Sequence, residues 1–233
     1  MKKIRFVNLE FQDSKFKKKI TSRFNKILKH GQFILGPEVQ EMETKIAEFC
    51  KRKFCVGTAS GTDAIYLALR ALDIGNGDEV ITSPMTWVSS TNSIMMNNAK
   101  PVFVDVKNDL NIDENKIEKH ITKKTKAILY VNYTGKIANT QKIKSIANKY
   151  NLRIIEDSAQ SFGSTRYKMP SGSFGDVSCF SFNPMKVLPS LGEAGAILTN
   201  KKKIYEKIKI LRYAGTVFKE NCMYPSLNFK IDT

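Results

Sequence analysis

The stretch FCVGTASGTDAIYLALRA, Phe54 to Ala71, decides the fold. Its first five residues form a short apolar run of strand length, and Ala64, Leu67, Ala68 and Ala71 then recur at helical spacing. Between the two, Ser60-Gly61-Thr62 opens the helix, because a side-chain hydroxyl there can accept from the free N–H groups of the first turn. A strand that passes through a tight turn directly into a helix is the repeating unit of an α/β fold.

The same alternation extends outward in both directions. Residues 79–82 (EVIT), 101–106 (PVFVDV), 126–131 (KAILYV) and 153–157 (RIIED) read as parallel strands joined by right-handed helical crossovers. Ile143, Ile146, Ala147 and Tyr150 mark the apolar face of one crossover helix. Upstream, Pro37 starts a helix whose stripe of Val39, Met42, Ile46 and Phe49 reads as packing surface. Downstream, residues 177–182 and 196–199 read as strands joined by a turn-rich loop, and Ile204, Ile208 and Leu211 line a lysine-rich helix. The expected division is an arm and helix over residues 1–36 and one large domain over residues 37–233. The sequence stops soon after Asn228-Phe229-Lys230 without a closing element, which creates the expectation of a further domain beyond it.

Composition narrows the class. A hydrophobic fraction of 42% with 26% charged residues fits a folded globular protein. No apolar run approaches the roughly 20 residues of a membrane span, and the start MKKIRFVNLEFQDSKFKKK lacks the apolar core of a secretory signal. A cytoplasmic location is the expectation. Cys50, Cys55, Cys179 and Cys222 form no CxxC pair and have no histidine at ligand spacing, so they read as idle thiols and no metal site is expected. The net charge of +16 can attract phosphorylated ligands, but its lysines are scattered and no zinc-finger, RNP or KH pattern accompanies them. Nucleic acid is therefore not the expected partner.

Four features fall at the carboxyl ends of these strands, where open α/β sheets bind ligands. Thr58-Ala59-Ser60-Gly61-Thr62 can hold a phosphate at a helix N-terminus, or can simply cap it. Asp157 closes an apolar strand before Ser158-Ala159-Gln160, placed to meet a ligand cation or to cap a helix. Trp87, the single tryptophan, follows a strand and can stack on a flat ring or fill a core or interface. Lys186 ends Ser181-Phe182-Asn183-Pro184-Met185-Lys186 ahead of Gly192-Glu193-Ala194-Gly195. Desolvation in such an apolar, glycine-rich setting favours the neutral amine that imine formation needs, although most lysines are solvated surface groups.

Taken singly, each feature has an ordinary structural explanation; their order and spacing together are specific. SGTDAIYLAL, EDSAQSFGS, GDVSCFSFNPMK and GEAGAILT resemble the DegT/StrS family of pyridoxal-phosphate (PLP) sugar aminotransferases, from about Gly31 to Thr233. The resemblance implies an α/β three-layer sandwich with a mostly parallel central sheet, the large domain of the type I aminotransferase fold. It implies that Asp157 pairs with the pyridine nitrogen, Gln160 approaches the ring oxygen, and Trp87 covers the ring face. Ser181 with Ser60, Gly61 and Thr62 would contact the phosphate, and Lys186 would hold the cofactor covalently and act as the base. Leu227-Asn228-Phe229-Lys230 looks like the family's N-[YF]-[RK] segment, whose asparagine reaches the neighbouring subunit's phosphate, so a homodimer with shared sites is implied.

The resemblance also carries an activity: transfer of an amino group, usually from glutamate, to a nucleotide-linked keto sugar for deoxyamino-sugar or surface-polysaccharide synthesis. Two departures stand out. Asn183, counted among the cofactor contacts, occupies a position where many members have histidine. The small C-terminal domain that follows the N-[YF]-[RK] segment and helps close the site is absent from the sequence. A PLP-dependent sugar dehydratase would carry histidine in place of Lys186. A non-enzymatic sensor on the same scaffold, or an inactive truncated fragment, is the other alternative.

Overall fold

Short apolar runs become strands here because helices cover both of their faces. In the computed structural model, which describes residues 4, 6–10, 13–217 and 220–233, seven strands form the central sheet. In chain order they are β1 (Phe54–Thr58), β2 (Glu79–Thr82), β3 (Lys100–Phe103), β4 (Thr125–Val131), β5 (Arg153–Asp157), β8 (Val177–Ser181) and β9 (Gly195–Thr199). A separate two-residue hairpin, β6 (Thr165–Arg166) with β7 (Met169–Pro170), lies between β5 and β8 in sequence. The spatial order is β1-β9-β8-β5-β4-β2-β3.

Neighbours from β8 through β5, β4 and β2 to β3 run parallel, whereas β9 lies antiparallel between β1 and β8. Loop length explains that reversal. The 182–194 connection contains no helix, so the chain turns back beside β8 instead of crossing over to a parallel position. Strand β3 ends at Phe103, earlier than the run to Val106 suggested, although Val104 N still donates to the Thr82 carbonyl at 2.8 Å.

Side-chain alternation along the strands builds two apolar layers. Ala127, Leu129 and Val131 of β4 join the cluster that holds α3 (Gly61–Ala71), α4 (Val88–Met96) and α6 (Lys202–Arg212). Ile128 and Tyr130 face the other way, onto α5 (Thr140–Tyr150) through Ile143, Ile146 and Ala147. On that same side α2 (Pro37–Phe49) sets Val39, Ile46 and Ala47 against Cys55, Phe180 and Leu198. A fully buried leucine or isoleucine contributes roughly 1.5–3 kcal/mol. The helix–sheet–helix sandwich therefore draws its stability from the apolar positions legible in the sequence. Phe49 and Tyr150 are exposed at their helix ends instead, and Phe49 stacks on Phe162 with ring centroids 4.8 Å apart.

Ahead of the sandwich, α1 (Ser14–His30) is capped by Asp13 Oδ1, which accepts from Lys15 N at 2.8 Å, and it ends at Gly31 in the left-handed conformation. Cys50, Cys55 and Cys179 are buried free thiols and Cys222 is exposed. Among the described residues no helix is long and apolar enough to cross a membrane.

Candidate active site

The carboxyl ends of β1, β5 and β8 converge on the amino end of α3, and two glycines make that approach possible. A Cβ on Gly61 would stand 2.6 Å from Ser181 Cβ at the end of β8, and one on Gly195 would run into the Ser60 carbonyl. Ser60 caps α3 by accepting from Asp63 N at 3.1 Å, which leaves the earlier N–H groups of the turn, on Gly61 and Thr62, to face outward from the helix start.

These elements enclose a cavity of about 450 Å³. Ser60, Gly61, Thr62, Trp87, Asp157, Gln160, Ser181, Asn183 and Lys186 all line it. Asn228 does not; it is exposed elsewhere, its Oδ1 accepting from Lys230 N at 3.2 Å. Trp87 is 73% exposed and immediately precedes α4, so within this chain it is a cavity-mouth residue and not core.

Asp157, only 4% exposed, lies at the end of β5. Its Oδ2 accepts from Ser90 Oγ at 2.8 Å and its Oδ1 from Ala159 N at 3.1 Å. Burial pushes its carboxyl up from the ordinary aspartate value, while Ser90, the Ala159 N–H and the charge of Lys186 pull it back. The neighbouring carboxylate, Glu156, points to the opposite face of the sheet, as successive strand residues must. There it receives Ser178 Oγ at 2.7 Å, Phe174 N at 3.1 Å, Asn132 Nδ2 at 3.1 Å and Gly172 N at 3.2 Å.

Lys186 is half-buried on the loop between β8 and β9. That loop is closed by Phe182 N to the Ala194 carbonyl and Ser190 N to the Phe182 carbonyl, both at 2.7 Å, and Lys186 N donates to the Asn183 carbonyl at 2.8 Å. The Asn183 side chain belongs to the same brace, with Oδ1 accepting from Met185 N at 3.0 Å and Nδ2 bonded to Glu193.

Sequence reasoning missed the contribution of α4. Thr86, Ser89 and Ser90 line the cavity, and Thr62 Oγ1 donates to Ser89 Oγ at 2.8 Å while Ser90 holds Asp157. Tyr133 and Glu193 also line it, and only Glu193 lay within a quoted motif. A larger cavity of about 780 Å³ opens at the amino-terminal ends of β5 and β8 and contains none of the candidate site residues named from sequence. Several of its charged groups already have partners: Lys201 bonds Asp176, and the Arg52 guanidinium donates to the Gly172 and Gly175 carbonyls.

Comparison with known proteins places the chain in a family. A UDP-2-acetamido-2-deoxy-3-oxo-D-glucuronate aminotransferase of Pseudomonas aeruginosa is 38% identical over 231 residues, covering 99% of this chain and 64% of that protein. A dTDP-3-amino-3,6-dideoxy-alpha-D-galactopyranose transaminase of Aneurinibacillus thermoaerophilus is 41% identical, covering 98% of this chain and 63% of its own length. The chain thus spans just under two thirds of the relatives it matches. The crystal structure of DesV from S. venezuelae in complex with a ketimine intermediate superposes with a TM-score of 0.95 at 32% identity, over 98% of this chain and 62% of DesV. The family model for the DegT/DnrJ/EryC1/StrS aminotransferases matches residues 14–232, and the chain belongs to that family.

Proposed function

We propose that the cavity binds pyridoxal phosphate and that the chain is the cofactor-binding large domain, residues 37–233 with an arm over 1–36, of a nucleotide-sugar aminotransferase. The observation that carries this reading is the meeting of Asp157, Lys186 and the amino end of α3 in one cavity. A carboxylate suits a cationic ring nitrogen, a helix start suits a phosphate, and an amine suits an aldehyde, so the residues present match the three functional groups of the cofactor. When bound, pyridoxal phosphate supplies an electron-accepting ring.

The protein's own groups do the rest. Asp157, buried and held by two donors, keeps a proton on the ring nitrogen. The N–H groups of Gly61 and Thr62, with the hydroxyls of Ser60 and Ser181, hold the phosphate. Trp87 covers one ring face and Gln160 approaches the ring oxygen. Asn183 braces the lysine loop beside them through Glu193 and Met185. Lys186 would hold the cofactor covalently and would move a proton at the substrate's amine-bearing carbon.

The amino acceptor is a nucleotide-linked keto sugar and the donor glutamate, in deoxyamino-sugar or surface-polysaccharide synthesis in the cytoplasm. The nucleotide-sugar names of the relatives support the acceptor class. Among the described residues lining the cavity, Lys186 is the single cation beside the acids Asp157 and Glu193. A diphosphate or a donor carboxylate therefore needs cations from outside these walls. A homodimer with shared sites brings groups of the neighbouring chain to the cavity, with Asn228, exposed and outside its own cavity, reaching the partner's phosphate as a neutral amide donor.

Purified protein supplied with PLP should show the visible absorbance of a protonated imine, and borohydride should fix the cofactor to Lys186, read by peptide mass spectrometry. Protein that stays colourless in excess PLP overturns the reading in favour of a sensor or inactive scaffold.

A further inference from the structure

The entry to α4, residues 86–90, touches both ends of the cavity, and the sequence marked only its Trp87. Ser90 is 1% exposed, and its hydroxyl has a single proton, which it donates to Asp157 Oδ2 at 2.8 Å. Thr86 Oγ1 lies 2.8 Å from Ser90 Oγ. With Ser90's proton committed to the carboxylate, Thr86 has to be the donor in that bond, so the chain runs in one direction, from Thr86 through Ser90 to Asp157. Trp87 is the N-cap residue between them, and its carbonyl accepts from Ser90 N at 3.2 Å. The next serine, Ser89, meets Thr62 at the phosphate end.

We propose that Ser90, backed by Thr86, is a positioning residue that fixes the Asp157 carboxylate for the ring nitrogen of the cofactor, and that the same hydroxyl chain sets the turn carrying Trp87. This inference rests on the proposed PLP site. A carboxylate held by one backbone N–H alone can rotate, whereas a second donor on the other oxygen fixes its plane. Two donors also favour the ionised form that a cationic ring requires. The other groups that face Asp157 are Lys186, whose charge acts in the same sense, and the buried thiol of Cys179.

The test uses pyridoxamine phosphate, which binds without an imine, labelled with ¹⁵N in its ring. The parent should bind it with the ring-nitrogen resonance of a protonated pyridine. Ser90→Ala should bind about tenfold more weakly, the usual scale for losing one hydrogen bond to a charged group, with the resonance moved toward neutral pyridine. Thr86→Val, which leaves Ser90 in place, should move both readouts in the same direction but less, and Thr86→Ser should restore them. If Ser90→Ala does not fold, Thr86→Val decides the matter. An unmoved resonance in the folded variants overturns the proposal even if melting temperatures drop, because a purely structural role would lower stability without changing ring protonation. A parent that binds no pyridoxamine phosphate removes the PLP reading itself, and this proposal with it.

Discussion

Two adjacent carboxylates on β5, Glu156 and Asp157, are both buried and face opposite sides of the sheet, yet their surroundings differ. Glu156 is enclosed by protein donors: Ser178 and Phe174 N on one oxygen, Asn132 and Gly172 N on the other. Asp157 has one donor on each oxygen and forms part of a cavity wall. An ionised carboxylate offers about four acceptor sites, so Glu156 is filled by its own fold while Asp157 retains capacity for a cation from outside. A saturated buried carboxylate holds structure together, and an unsaturated one beside a lysine is equipped for chemistry.

The largest effect belongs to the open side. Lys186→Ala should abolish transamination, because alanine can neither hold the cofactor nor move the proton. Losing a positioned acid–base group costs roughly 10²- to 10⁴-fold before the lost covalent attachment is counted. The fold and the binding of pyridoxamine phosphate should survive, since the Asp157 and α3 contacts remain. Single-turnover assays with glutamate alongside circular dichroism check this, and a rate near the parent's would remove Lys186 from the mechanism. Asp157→Asn should leave covalent attachment intact and slow turnover severely, because the amide does not keep the ring nitrogen protonated.

The closed side should respond in stability. Both oxygens of Glu156 accept a backbone N–H, and those donors cannot turn away. In Glu156→Gln the new NH₂ must face one of them, leaving buried donors unmatched at a cost of about 1–3 kcal/mol. For a chain of this size that lowers the melting temperature by roughly 2–4 °C per kcal/mol. Asp157→Asn should cost less. The contrast breaks if the two amide variants melt together.

How far the sequence exposed this contrast depended on the kind of signal involved. The strands were legible because apolar runs such as RIIED and KAILYV end abruptly, and α3 because its apolar positions recur at three and four. Asp157 and Lys186 were legible through motif order. By contrast α4, VSSTNSIMM, mixes serine, threonine and asparagine with apolar residues and has no clear periodicity, so Ser89, Ser90 and the tie from Thr86 stayed hidden. Glu156 gave no signal of its own, since nothing local announces donors from Asn132, Gly172, Phe174 and Ser178. The direction of β9 depends on a crossover that is absent, and the need for Gly195 depends on Ser60, far away in sequence.

A smaller effect concerns assembly. Lys186→Ala and Asn228→Ala chains, each inactive alone, should recover activity when mixed, because one of the two sites in a heterodimer keeps both residues. With random pairing about a quarter of the parental activity is the ceiling. No recovery in demonstrably mixed dimers would show that Asn228 serves its own chain or none.

The smallest effect separates the two carboxylates by pH. Burial is the main cause that raises both Glu156 and Asp157 from their ordinary values. In the unfolded chain these groups lose their protons near pH 4, while the folded chain keeps them to higher pH. Over that interval the unfolded state binds fewer protons, so their contribution to stability is present in acid and is lost as pH rises through the folded values. Glu41 works in the opposite sense, because hydrogen bonds from Lys45 and Arg23 hold it low. The readout is therefore the difference between parent and variant urea midpoints as pH rises from the ordinary carboxylate values, and not the parent curve alone. Asp157→Asn should remove one share of the decline and Glu156→Gln the other. Saturating pyridoxamine phosphate should remove only the Asp157 share, because a cation placed against that carboxylate lowers it again, whereas Glu156 lies on the far face of the sheet. If the cofactor form flattened the pH dependence of Asp157→Asn as much as that of the parent, the cation would not be meeting Asp157, and the division between an open and a closed carboxylate would not hold.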